Sequence, residues 1–82
     1  MIVTSRMPAM PEIPLAHLVT VAGVECGRVV KVVTKKDHQL VSVDIMDKPE
    51  VRDAIFRVSK HSVAFENMAK ELWPEEYRLW RL

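Results

Sequence analysis

Between Leu18 and Met46 the apolar residues fall into short β-branched runs, HLVTVAGV, RVVKVV and LVSVDIM, divided by ECG and by TKKDHQ. Runs of this length bounded by turn residues predict a three-stranded antiparallel meander. In the last run Val41, Val43 and Ile45 alternate with Ser42 and Asp44, so one face of the sheet is buried and the other is wet. The same alternation in the middle run assigns Val30 and Val32 to the inner face, and leaves Val29 and Val33 beside Lys31 on the outer one.

After Met46 the period lengthens. Val51, Ala54, Ile55, Val58, Phe65, Met68, Ala69 and Leu72 keep helical spacing, with Ser62 in the one gap. Asp47 occupies the N-cap position, Pro49 suits a first turn, and Glu50 suits the positive end of the helix dipole. The spacing predicts one helix of about 36 Å. Its weak point is SKHS, residues 59 to 62, where serines favour caps over helix interiors; a break there gives two helices, the second capped by Ser62. Pro74 ends the pattern, and EEYRLWRL forms a short final helix with Glu75 and Glu76 in its first turn.

Ahead of the strands, Pro8, Pro11 and Pro14 recur at intervals of three, which removes backbone donors and holds the preceding residues extended. Residues 1–16 are therefore expected to be an arm, lying along its own domain or reaching to a second subunit. The expected architecture is a single α+β domain over 1–82, with the meander at 17–46 and a helical half at 47–82. A chain of 82 residues has a thin core, and a partner subunit is the simplest way to reinforce it.

The helical half carries more apolar surface than one buried face needs. Phe56 and Val63 lie off the main stripe, on a second line along the helix, and Trp73, Tyr77, Leu79, Trp80 and Leu82 add to them. Phe56, Val63, Trp80 and the arm around Ile13 are thus expected to form or border a self-association surface, in the simplest case that of a homodimer. The alternative is that the terminal segment folds back and covers Phe56 within one chain.

A formal net charge of +1 provides no global field for nucleic acid or anionic lipid, so such binding would need a local cluster. One exists: Arg28, Lys31, Lys35 and Lys36 on a strand and its turn, with Arg57 and Lys60 on the helix, diluted by Glu25, Asp37, Asp44 and Asp53. LVSVDIM followed by PEVRDAIFRVSK and SVAFENMAKELW resembles the ribbon-helix-helix layout over residues 40–73, although no glycine separates the helices and Asp44 falls on the strand face that would meet DNA. That resemblance implies a dimeric nucleic-acid-binding regulator, the second reading of this chain.

Catalytic chemistry has weaker grounds. Cys26, His17, His38 and His61 are scattered, with no C-x-x-C or H-x-x-x-H spacing to hold a metal and no base placed to activate the thiol. Gly23 and Gly27 are the only glycines, too few for a glycine-rich phosphate loop. No catalytic residue, metal or cofactor is expected. A single cysteine, no apolar stretch of membrane-spanning length and no leader pattern point to a cytoplasmic protein. The sequence reads as a small non-enzymatic interaction or regulatory module.

Overall fold

A computed structural model describes residues 1–82. The elements are β1 (Ile2–Pro8), β2 (Leu18–Val21), β3 (Val24–Thr34), β4 (His38–Ile45), α1 (Pro49–Ser59), α2 (Val63–Leu72) and α3 (Pro74–Arg81). The fold is α+β with a four-stranded antiparallel sheet in the order β1-β4-β3-β2. Two compact units divide the chain, Met1–Thr20 with Glu25–Met46, and Val21–Val24 with Asp47–Leu82.

The sheet has one strand more than the pattern predicts. The first half of the expected arm is β1, antiparallel to β4, with Ile2 opposite Asp44 and Pro8 opposite His38. Its prolines begin only where the strand ends, so they cost the ladder nothing. What fixes the arm beyond β1 is Gln39, only 1 % exposed. Its amide nitrogen donates to the carbonyls of Pro8 and Pro11, at 2.8 and 2.7 Å, and its amide oxygen accepts from the Ile13 backbone N–H at 3.0 Å. A buried side-chain amide is tolerable only when satisfied, and three backbone groups of a proline-rich segment are satisfied with it.

Two local expectations are corrected. The ECG segment is not a turn: the β2–β3 reversal falls at Ala22 and Gly23, both at positive φ (50° and 78°), the geometry of a tight hairpin turn. Gly27 lies within β3, where a Cβ would sit 2.0 Å from the Asp44 carbonyl oxygen, so glycine is needed there for close backbone approach. On β3 a bulge between Val29 and Lys31 sets Val30 outside the register. Val29 is therefore buried and Val30 is 49 % exposed, the reverse of strict alternation, while Val32 returns to the inner row opposite Val41.

In the helical unit the chain breaks at residues 60–62, so the unbroken helix is not formed. Ser62 is extended (φ −148°) and its hydroxyl accepts from Phe65 N–H at 3.4 Å, while Ser59 turns its hydroxyl back to the Phe56 carbonyl at 2.6 Å. Asp47 is not the cap of α1. Lys48 takes that position without a side-chain bond, and Asp47 accepts instead from the Trp73 indole N–H at 3.1 Å. The start of α1 is thereby tied to the α2–α3 junction.

Replacing Gln39 by alanine leaves two carbonyls and one N–H without their partner in part-buried positions, and a group shut off from water costs about 1 to 3 kcal/mol, a partly hydrated one less. Gln39→Ala is expected to lower stability by about 3 kcal/mol, read by urea denaturation. It should also raise amide exchange at Ile13 while exchange in the middle of β4 follows global unfolding alone.

Candidate interaction surface

The aromatic residues of the helical unit converge on one ring. Phe56 on α1 meets Trp73 edge-on at 6.0 Å between centroids, Tyr77 edge-on at 5.5 Å, and Trp80 at 5.4 Å with a 43° tilt. Edge-on contacts set the positive rim of one ring against the negative face of another, adding about 0.5 to 1.5 kcal/mol per pair beyond burial. Phe56 is consequently only 3 % exposed. The expectation that it lies on a self-association surface is corrected: the Pro74 turn reverses the chain, and α3 covers Phe56 within the molecule.

Polar contacts lock α3 against α2. The Tyr77 hydroxyl donates to Glu66 Oε2 at 2.8 Å, and Lys70 lies 3.7 Å from Glu66 one turn along the same helix. The bond from Tyr77, and secondly the Lys70 charge, hold the Glu66 carboxyl below its ordinary pKa. Burial of the phenol, and then its bond to Glu66, push Tyr77 up.

Residues one turn further along each helix define the open end of this unit. From the Glu66–Tyr77 contact, one turn back on α2 reaches Val63 and one turn forward on α3 reaches Trp80 and Arg81. The Lys60 ammonium stands 5.3 Å from the Trp80 ring centroid, placing the end of α1 there too. Val63 is 74 % exposed and Leu79 59 %, Leu82 is exposed, and Trp80 is half-buried over Phe56. Of the four expected interface residues, the structure brings Val63 and Trp80 to one end, buries Phe56 beneath Trp80, and holds Ile13 by its backbone in the sheet unit.

The basic residues separate. Arg28 and Lys31 share the wet face of the sheet, opposite Asp44 and Ser42, and Arg28 also donates to the Ala16 carbonyl at 3.2 Å. Lys35 and Lys36 occupy the β3–β4 turn beside Asp37, whose carboxyl is held down by its 2.6 Å bond to His38. Arg57 and Lys60 belong to the helical unit. Arg6, overlooked because β1 was read as an arm, joins Arg28 and Lys31 on the wet face; its alternation with Val3 and Ser5 was the available signal. A shallow groove of about 370 Å³ on this unit is lined by Leu18, Glu25, Arg28, Val30, Asp44 and Met46, a set of mixed sign.

The histidine and cysteine positions do not converge. Cys26 is buried, and its carbonyl accepts from Met46 N–H at 2.8 Å, at the opposite end of β4 from His38. Along the strand that is about 26 Å. His17 is exposed and pairs through its backbone with Val29. No helix is long and apolar enough to cross a membrane. The chain matches no protein-family model, no curated protein and no solved structure.

Two measurements check this arrangement. Phe56→Asp puts a charge among three aromatic rings, so it is expected to unfold the helical unit, with a loss of helical ellipticity at every protein concentration; Phe56→Ala should cost about 3 to 5 kcal/mol. For Glu66, a carboxyl depressed in the folded state stabilises above its unfolded pKa, and that contribution disappears as pH falls through the folded value. Wild type should therefore lose stability more steeply than Glu66→Gln as pH falls below the ordinary glutamate range, as followed by thermal melting.

Proposed function

We propose that this protein is a non-enzymatic interaction module of the cell interior, which self-associates or takes a protein partner through the open end of its helical unit. The observation that carries this reading is that Val63, Leu79 and Leu82 stay exposed and Trp80 half-buried in the helical unit after Phe56 has been enclosed. Several large apolar side chains exposed on one small unit are costly to leave in water, and an aromatic ring with a fixed orientation is the usual anchor of an interface. Lys60 over the Trp80 ring holds that anchor in place before any partner arrives.

A second reading rests on the wet sheet face, where Arg6, Arg28 and Lys31 stand near the paired Thr4 and Ser42 hydroxyls, 2.9 Å apart. These groups suit phosphate oxygens. A ribbon-helix-helix arrangement is a different matter, because it needs the strand before the helices to pair with its counterpart in a second copy. Here β4 is paired along both edges, by β1 and by β3. A nucleic-acid role would therefore use the open face of the sheet rather than a shared ribbon.

Molecular mass in solution distinguishes the readings. Leu79→Asp, alone or with Val63→Asp, alters exposed positions and should leave helical ellipticity unchanged while weakening self-association or partner capture at least tenfold. Unchanged association would remove the helical end from consideration. Duplex or single-strand binding that falls steeply between low and moderate salt, and falls further in Arg6→Glu with Lys31→Glu, would instead favour the sheet face.

A further inference from the structure

The two edges of the sheet are unequal. β2 is four residues long, and short edge strands are a common protection against unwanted pairing. β1 is seven residues long, and its protective residues, Arg6 and Pro8, are confined to its last three positions.

The hydrogen-bond parity of β1 follows from its first pair. Ile45 N–H donates to the Met1 carbonyl at 2.6 Å and Met1 N donates back to the Ile45 carbonyl at 2.9 Å, so Met1 and Ile45 are a hydrogen-bonded pair. Such pairs alternate along an antiparallel ladder, and the residues opposite each other continue through Val3–Val43, Ser5–Val41 and Met7–Gln39. The N–H and C=O groups of Ile2, Thr4 and Arg6 accordingly point away from β4, toward the open edge. Ile2, Thr4 and Arg6 are all exposed.

We propose that this edge pairs with β1 of a second copy, antiparallel about a two-fold axis at Thr4. The proposal rests on the self-association in the preceding section and assigns it a second element. With Thr4 opposite Thr4, Ile2 falls opposite Arg6 and Arg6 opposite Ile2. Every outward backbone group then finds a partner, giving about six hydrogen bonds in all. The four-stranded sheets of the two copies become one sheet of eight strands.

The side chains favour this register. Threonine opposite threonine is a stabilising cross-strand pair, and no like charges face each other. On the inner face Val3, which is buried, meets Ser5 of the second copy. On the wet face the second copy's Arg6 lies beside Ile2, in the row that continues to Asp44, whose side chain is 56 % exposed. Within its own chain Arg6 makes no ion pair, and its row holds only Leu40 and Val33. Shifting the register by two residues in either direction leaves outward groups unpaired.

Thr4→Pro tests the pairing. Proline removes the outward N–H at the two-fold axis and keeps the β1–β4 ladder, which uses Val3 and Ser5 on either side. Thr4→Lys serves as the second variant, retaining the N–H but setting two ammonium groups against each other. The wild type should rise from 9.4 kDa toward twice that mass across about a hundredfold increase in concentration, with Thr4 and Arg6 amides gaining exchange protection in step. Both variants should weaken association at least tenfold with unchanged circular dichroism. A dimer of undiminished affinity in both variants, or one in which the Thr4 and Arg6 amides exchange freely, overturns the pairing. If Leu79→Asp dissolves that surviving dimer, the helical end alone is the interface. A wild type that remains at one-chain mass throughout overturns the pairing as well.

Discussion

The sheet unit depends on the buried side-chain amide of Gln39. Without it, a segment carrying Pro8, Pro11 and Pro14 has too few donors to hold itself against a sheet, and its carbonyls would turn to water. Gln39 reverses this by providing two donors and one acceptor at the end of β4, from a side chain that is itself buried. The order of causes matters. β1 pairs with β4 through its backbone, but the chain leaving β1 would be free to carry the strand end away if Pro8 and Pro11 were not held. Gln39 thus sets the length of the ordered edge as well as the path beyond it.

A comparable single contact organises the helical unit, though it is apolar. Phe56 lies at the centre of rings contributed by Trp73, Tyr77 and Trp80, and the geometry of each pair fixes the angle at which α3 returns. Polar contacts then select among the remaining packings: Trp73 to Asp47 at the junction, Tyr77 to Glu66 halfway along. Burial draws α3 back over α1, and hydrogen bonds of fixed direction decide how. What stays outside is Val63, Leu79 and Leu82, which no ring covers.

How much of this was legible in the sequence depended on whether the signal was local. The meander order, the end of the helical pattern at Pro74 and the possible cap at Ser62 follow from residues within a few positions of one another, and the structure contains each of them. The fourth strand was obscured because the prolines of residues 8–14 outweighed the short alternation of Ile2 to Met7, and because Gln39, its anchor, lies 26 residues from Ile13. Val29 and Val30 exchanged faces through a bulge, which adds one residue and inverts the parity that alternation relies on. Phe56 looked like surface from its place on the helical wheel. Its burial needs α3, and only the return of the chain reveals it. Of the expected surface, Val63 and Trp80 were readable as apolar excess, whereas the open edge of β1 became visible only with the strand order.

The strand order also explains why β1 is the edge to consider. β4 is enclosed on both sides, and β2 stops after four residues at a turn of two residues in positive φ, so it offers a partner little length. Natural sheets commonly blunt an exposed edge along its whole length, with charge, proline or a bulge. Here the bulge lies in β3, an interior strand, where it re-aims Val30 but does nothing for the edge. The charge and the proline of β1 lie near its C-terminal end, and across an antiparallel two-fold axis they fall outside the central pair. Arg6, which would deter a strand pairing in parallel by facing its own counterpart, is set opposite Ile2 in the antiparallel arrangement. The same residue therefore disfavours one mode of edge pairing and leaves the other open. An edge that selects an orientation is better suited to a closed dimer than to open-ended association, because the two-fold uses up β1 on both copies and leaves only the short β2 edges exposed.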